Sequence, residues 1–561
     1  MAGIDPSRLA AILAKARAKT LIHSSIPKDQ EADPIGVNCE PPAIIEIANG
    51  SDDETTSTDK YGNVITLNEQ QIEAVRFGRN GDSFVLIGAA GTGKTTSTKQ
   101  IIHSIIQSGR AGILGEEHKR LNKGTPGIVC CAYTRRAVNN IRRNMSSEMQ
   151  NNCLTIHKLL EYEPVYDEVY DPETGDTKKT MRFSPSRNAH NPLPPEIRVI
   201  IIEEASMVSV ELFREIQDAC PHNPQFIFLG DIQQLPPVFG SAILGFKMLE
   251  LSTVELVQVY RQALESPIIR LAHRILSGRK IESSEFVDWK VKDQLTLHPW
   301  KKKITPDLAV IVASNFFNAA YDSGIYNPDE DAILIPFNKA CGTDELNKRI
   351  ATHISHKYGR EIHEVVAGFN KLYFAVGDKV LVDKEDGEII SIKPNPTYLG
   401  QSYLAPSTTM DYFGYDPNAH TAETDMDVDA FLAATSADSD ERVKKCSHII
   451  KVKLLDSERE VEISAAGDVN AMILAYAITI HKSQGSEWRK VFVVLHASHA
   501  TMLQRELLYT AVTRAKEELY VICEPDSFEK GIESQRIKGN TLAEKAEFFK
   551  GKVESGYLME K

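Results

Sequence analysis

The chain has 561 residues, 42% hydrophobic and 25% charged, with a formal net charge of −13. This is a globular composition with room for about four domains. It excludes a uniformly basic coat, although a basic channel can lie inside an acidic shell. No apolar run approaches the roughly 18–20 residues that span a bilayer, and the N-terminus lacks the apolar core of a secretory signal. The eight cysteines show no C-x-x-C spacing, so free thiols are expected in a soluble chain located in the cytoplasm, or the host cytoplasm for a viral source.

Residues 1–60 read as a tail and linker. Leu9, Ile12, Leu13 and Ala16 fall at helical spacing among Arg8, Lys15, Arg17 and Lys19, which spells a short basic amphipathic helix. It suits either a partly ordered terminus or a docking arm. The acidic run Gly50 to Asp59 reads as a linker. Across 61–260, the strand-like runs Phe84–Ile87, Gly127–Ala132, Val199–Ile202 and Gln225–Leu229 alternate with helical patterns. That alternation predicts an α/β domain with a parallel sheet and a ligand site at the carboxyl ends of its strands. An insertion over 163–185 reads as a β-hairpin around a turn at Pro172 to Gly175.

A second α/β core is expected in two parts, 261–354 and 471–530, with candidate strands Ala332–Pro336, Ala471–Ile478 and Val491–Leu495 and a helix Glu506–Lys516. Between them, 355–470 carries the alternating runs Lys379–Val382, Gly387–Ile390, Ile449–Leu454 and Glu460–Ile463, the pattern of a small antiparallel barrel. Its acidic stretch 416–441 reads as a loop. Residues 531–561 read as a C-terminal tail.

The most informative motif is Gly88-Ala89-Ala90-Gly91-Thr92-Gly93-Lys94-Thr95, placed after an apolar strand and before a helix that begins near Thr96. A glycine-rich turn aims successive backbone N–H groups at one anion, Lys94 can reach β- and γ-phosphates, and the Thr95 hydroxyl can ligate Mg²⁺. Binding of a nucleoside triphosphate such as ATP is therefore expected. The run Val199-Ile200-Ile201-Ile202-Glu203-Glu204 is a buried strand ending in two carboxylates. The first suits the metal, and the second can take a proton from attacking water. Downstream, Gln234 ends another strand with an amide able to sense the γ-phosphate.

Taken in order, Leu67 to Gln71, Gly88 to Thr95, Ala132 to Ala137, Thr155 to His157, Glu203 to Met207, Gly230 to Val238, Tyr260 to Gln262, Thr479 to Glu487 and Tyr509 to Ala515 resemble the motifs of superfamily-1 helicases. The set looks like the RecD and phage Dda group, the 5′→3′ branch, over about 62–525. The resemblance implies two RecA-like motor domains, with the hairpin as a strand-separating pin and the barrel as an SH3-like insertion. It also implies an ATP-dependent DNA helicase engaged in replication, recombination or repair. Gln71 would read adenine. Gly88 through Thr96, with Gly485 and Glu487, would complete the nucleotide site. Thr95 and Glu203 would hold Mg²⁺, and Glu204 would activate water. Gln234, Arg261 and Arg514 would surround the γ-phosphate.

By the same resemblance Tyr133, Thr134, Thr155, His157, Thr479 and His481 would line the path of single-stranded DNA up to a duplex junction. A single-strand-binding protein or a replication or recombination factor would dock on the tail or the acidic loop. One departure stands out: relatives usually carry Asp where this chain has Glu203, a longer side chain that a water-mediated Mg²⁺ contact tolerates. Two other functions fit the same motifs, a protein-displacing translocase subunit and an RNA helicase of the related branch.

Overall fold

A computed structural model describes residues 56–58, 64–113, 127–143, 145, 147–170, 177–237, 240–259, 266–280, 295–299, 304–368, 370–382, 385–398, 445–455 and 459–555. The amphipathic stretch near Leu9, the turn at Pro172 to Gly175, Arg261 and the loop 416–441 lie outside them, as does the expected acidic linker except for Thr56–Thr58, which is not linker but a short strand paired antiparallel with Val64–Thr66.

The first core is a parallel sheet in the order Ser252–Leu256, Phe84–Gly88, Gln225–Gly230, Ile197–Glu203, Gly127–Ala132 and Gly112–Ile113, with Cys153–Thr155 also paired to Gly127–Ala132. Strands Phe84–Gly88 and Gly127–Ala132 are buried at every position. That is why they read as continuous apolar runs rather than alternating ones. Two apolar clusters, one on each face, enclose the sheet. One holds Val85, Ile200 and Phe228; the other holds Leu86, Ile201 and Leu229.

The second core is a five-stranded parallel sheet in the order Leu295–Pro299, Ala515–Cys523, Trp488–Leu495, Ala332–Ile335 and Ala477–Thr479. The chain therefore has the expected α/β architecture of two RecA-like parallel-sheet domains. The insertion forms strands Tyr162–Tyr170 and Thr177–Pro185, paired antiparallel over their whole length. The described residues within 362–474 form a small antiparallel β domain in which the long strand Lys445–Leu454 pairs with Ile362–Ala367, Glu385–Pro394 and Glu460–Ala465. Its own core holds Val365, Phe374, Ile389, Ile450 and Val452.

Several expectations need correction. The apolar run Ala471–Ile478 is not one strand. Ala471 closes helix Ala466–Ala471, Ile473–Leu474 pairs with the β domain, and Ala477–Thr479 joins the second sheet. An unbroken apolar run here crosses a domain boundary, because each half is buried in a different core. The helix expected over Glu506–Lys516 spans Arg505–Val512, and Ala515 begins the strand Ala515–Cys523. Helix Thr343–Lys357 packs Leu346, Ile350 and Ile354 into the second core, so the β domain starts after residue 355.

The C-terminal segment is no simple tail. Helix Leu542–Glu554 starts from a Thr541 capping box and buries Phe549 and Val553, with Ile537, in the first core's cluster. A Cβ added to Gly245 would lie 2.2 Å from the Phe549 ring, so glycine is what admits this close approach. The strap is anchored on the second core's side by Arg505, which donates to Asn540 Oδ1 at 2.7 Å and to the Ile532 carbonyl at 2.9 Å. Glu506 accepts from the Ile537 N–H at 3.0 Å. Buried Lys545 donates to the Ile537 carbonyl at 3.0 Å.

Candidate nucleotide site and strand path

Strand Phe84–Gly88 delivers the glycine-rich loop to the N-terminus of helix Lys94–Gln107. Gly91 and Gly93 take φ of 83° and 84°, the left-handed region that residues with a Cβ resist. Gly93 is the N-cap and supplies no side-chain cap, so the first helical N–H groups remain for an anion. Lys94 Nζ donates to the carbonyls of Gly88 at 2.6 Å and Ala89 at 3.1 Å, and the Thr92 hydroxyl donates to Ala89 at 2.9 Å. Thr95 is exposed at the helix start, with Thr96 half-buried beside it.

Glu203 closes strand Ile197–Glu203, and its Oε1 accepts from Thr98, one turn along the phosphate-loop helix, at 2.9 Å. Burial pushes its carboxyl up to about 7, aided by the charge of Glu204 and opposed by the Thr98 bond and Lys94. The Glu203 carboxyl and the Thr95 hydroxyl are hard oxygen donors of the kind that suit Mg²⁺. Glu204 adopts φ 50°, ψ 43°, a left-handed conformation that costs a non-glycine residue on the order of 1 kcal/mol. Its Oε2 is buried with no hydrogen-bond partner among the described residues, as is Gln234 Oε1. Strain and unsatisfied polar atoms recur at working sites.

The two cores meet at this loop. Tyr509, on helix Arg505–Val512, accepts from the Ala90 N–H at 2.8 Å and donates to Asp231 Oδ2 at 2.6 Å. Thr510 Oγ1 accepts from the Leu235 N–H at 3.0 Å, and Gln484 Nε2 donates to the Leu235 carbonyl at 2.8 Å. Arg514 is buried beside them, donating to the carbonyls of Thr510 at 3.0 Å and Ser486 at 3.1 Å. A cavity of about 190 Å³ opens next to the loop, lined by Gly88, Ala89, Thr92, Asp231, Glu255 and His273. Burial raises the Glu255 carboxyl and lowers the His273 imidazole, the latter against the pull of Asp231.

The residues expected along a nucleic acid sit at strand ends in both cores. Thr155 and Thr479 cap helical turns by accepting from the N–H groups of Lys158 at 3.1 Å and Lys482 at 3.4 Å. Thr134 accepts from Ala137 N–H at 3.1 Å. A hydroxyl used as an acceptor still has its proton to donate. Tyr133, His157 and Tyr162 form an edge-to-face series with centroids 5.4 and 4.8 Å apart, running to the root of the hairpin. His481 is half-buried, and burial with the charge of Arg536 lowers its pKa.

Residues 71–240 match the AAA domain family, and residues 474–522 match the UvrD-like helicase C-terminal domain family. The ATP-dependent RecD2 DNA helicase of Deinococcus radiodurans is 28% identical over 469 residues, which cover 82% of this chain and 49% of that protein. The chain thus spans about half the length of that relative. The RecBCD enzyme subunit RecD of Mycobacterium tuberculosis is 24% identical, covering 82% of this chain and 69% of that one. The Pif1 helicase structure from Candida albicans aligns at 17% identity with a TM-score of 0.43, covering 87% of this chain and 99% of that one. The chain is thus similar to RecD-like superfamily-1 helicases.

The first core's parallel sheet carries Gly88 to Thr96, Glu203 and Glu204 at or just after the carboxyl ends of its strands, with Gln234 four residues beyond the strand Gln225–Gly230. Gln71 is fully buried one turn into helix Glu69–Asn80, its Oε1 accepting from Asn68 N–H at 3.0 Å in a capping box. Gly485 is pressed against the first core elsewhere. A Cβ there would stand 2.9 Å from both Thr134 Oγ1 and Ala137 Cβ, and its carbonyl accepts from Asn140 at 2.8 Å. Glu487 is exposed and 3.6 Å from Lys516. Sequence reasoning missed Thr98, Asp231 and Tyr509 as parts of the site. Asp231 and Tyr509 stand inside quoted motifs, which was the available signal; Thr98 carried none.

Proposed function

We propose that the chain is an ATP-dependent DNA helicase that hydrolyses ATP between its two RecA-like cores and moves 5′→3′ on single-stranded DNA. The observation that carries this is the seam, where one helix of the second core bonds the phosphate loop while holding Arg514 five residues further on. The loop amides and Lys94 would bind the β- and γ-phosphates, and Gln71 the adenine. Glu204 would take the proton from the attacking water. Gln234, Arg261 and Arg514 would meet the charge that spreads over the γ-phosphoryl oxygens in the transition state. Thr95 and Glu203 would hold Mg²⁺, which neutralises phosphate charge when bound.

Because those groups come from both cores, nucleotide turnover would alternately draw the cores together and release them. A single strand lying across Tyr133, Thr134, Thr155, His157, Thr479 and His481 would be carried along by that cycle. The hairpin Tyr162–Pro185 would part the duplex at the strand's entry, and the β domain at 362–474 would act as the SH3-like clamp. The acidic loop 416–441 and the N-terminal tail would serve protein partners. The test is ATP hydrolysis by purified protein with and without DNA oligonucleotides, followed by unwinding of duplexes bearing a 5′ or a 3′ tail. Stimulation by DNA with unwinding only from the 5′ tail is expected. Hydrolysis indifferent to oligonucleotides would refute the reading.

A further inference from the structure

Helix Arg505–Val512 grips the first core through two consecutive side chains. Tyr509 is 1% exposed, and its phenol joins the Ala90 N–H of the phosphate loop, at 2.8 Å, to Asp231 Oδ2, at 2.6 Å. Thr510 is fully buried and accepts from the Leu235 N–H at 3.0 Å. Asp231 and Leu235 flank Gln234 in one turn, so both loops that face the nucleotide are tied to adjacent residues of the second core.

The seat of Arg514 is made of the same residues. Its Nε donates to the Thr510 carbonyl at 3.0 Å, and its Nη2 to Thr513 Oγ1 at 3.3 Å. Thr513 Oγ1 in turn donates to the Tyr509 carbonyl at 2.9 Å. The guanidinium therefore hangs from backbone whose neighbouring side chains are fastened to the phosphate loop, through Tyr509, and to Leu235, through Thr510. A charge meant for a transferring phosphoryl group acts only at hydrogen-bond distance, and small misplacements far from the chemistry cost large factors in rate. The phenol's bond to the Asp231 carboxylate is of the stronger, charge-assisted kind.

We propose that Tyr509 is a positioning residue for ATP hydrolysis, its phenol fixing the register between the phosphate loop and the seat of Arg514. This rests on the reading that ATP is hydrolysed in the seam with Arg514 serving the γ-phosphoryl group. Tyr509→Phe removes both bonds and keeps the ring within the second core's apolar cluster, so the fold is expected to survive.

In the full-length chain, Tyr509→Phe should lower the DNA-stimulated kcat about tenfold while the ATP KM and ADP affinity stay within about twofold. Affinity for ADP with aluminium fluoride, a transition-state mimic, should fall by about the same factor as kcat. In an Arg514→Ala background the same change should cost nothing further, because residues acting as a unit are not additive. Thr510→Val, which removes the acceptor for Leu235, should show the same split between kcat and KM.

A Tyr509→Phe protein with kcat within twofold of the parent overturns the proposal. So does an equal loss of affinity for ADP and for the fluoride complex. A parent protein that does not hydrolyse ATP overturns the functional reading together with it.

Discussion

The Thr98 hydroxyl donates to Glu203 Oε1 at 2.9 Å, tying the phosphate-loop helix to the end of the neighbouring buried strand. This bond gives the Glu203 side chain a fixed direction. Thr98→Val should therefore raise the Mg²⁺ concentration for half-maximal ATP hydrolysis by about three- to tenfold, with the fold intact. A Mg²⁺ titration at constant ATP measures this. An unchanged midpoint would show that Glu203 needs no orienting partner.

Lys94→Ala should abolish ATP turnover. Arg514→Ala should leave nucleotide binding near the parent value and reduce hydrolysis on the order of a thousandfold. Equilibrium binding of a fluorescent ADP analogue beside steady-state phosphate release separates the two effects. Normal hydrolysis by Arg514→Ala would rule out two-core closure as the catalytic event.

Deleting residues 166–182 shortens the paired strands Tyr162–Tyr170 and Thr177–Pro185 but leaves their root, where Arg187 donates to both carboxylate oxygens of Glu161 at 2.9 and 3.2 Å. The shortened protein should keep DNA-stimulated ATP hydrolysis and lose most forked-duplex unwinding. Equal unwinding by the two proteins would eliminate the hairpin as a strand separator.

His499 is fully buried, with its Nδ1 accepting from the His496 N–H at 3.1 Å and its Nε2 3.2 Å from the Cys341 carbonyl. Burial holds its pKa down at about 4, reinforced by His496 and opposed by the Cys341 and Ala340 backbone. The unfolded chain takes up this proton near pH 6.5 and the folded one near 4, so stability contributed by neutral His499 is lost as pH falls between those values. Melting of the parent protein should drop more between pH 7 and 5 than melting of His499→Gln, by roughly 4 °C. Parallel slopes would remove His499 as the source.

Phe549 is 2% exposed and packs edge-on against Phe246 with centroids 5.2 Å apart. Phe549→Ala should destabilise the first core by about 3–5 kcal/mol, through lost burial and the cavity left behind. Denaturant titration of the full-length protein checks this. A change below about 1 kcal/mol would mean that the C-terminal helix only rests on the surface.

The sequence carried the two sheets because fully buried parallel strands such as Phe84–Gly88 and Ile197–Glu203 write themselves as apolar runs bounded by glycine or acid. Ser252–Leu256 and Ala515–Cys523 were missed because Ser252, Glu255, Lys516 and Glu517 interrupt the apolar signal. The phosphate loop was legible because its chemistry is local, all within eight residues. The seam was not. Ala90 and Tyr509 are 419 positions apart, and no spacing rule connects a loop amide to a distant phenol. The Thr98 contact escaped notice for the same reason, being a mid-helix threonine with no pattern of its own.

The first core also borrows side chains from the chain's last helix. A polypeptide emerging from the ribosome can assemble its sheet once Leu256 is out, yet the groove over Ile243–Glu250 stays uncovered until Phe549 and Val553 arrive. Roughly three hundred residues of synthesis separate those moments. For that interval the half-made lobe presents apolar surface to solvent, which makes it a natural client for chaperones that bind such patches.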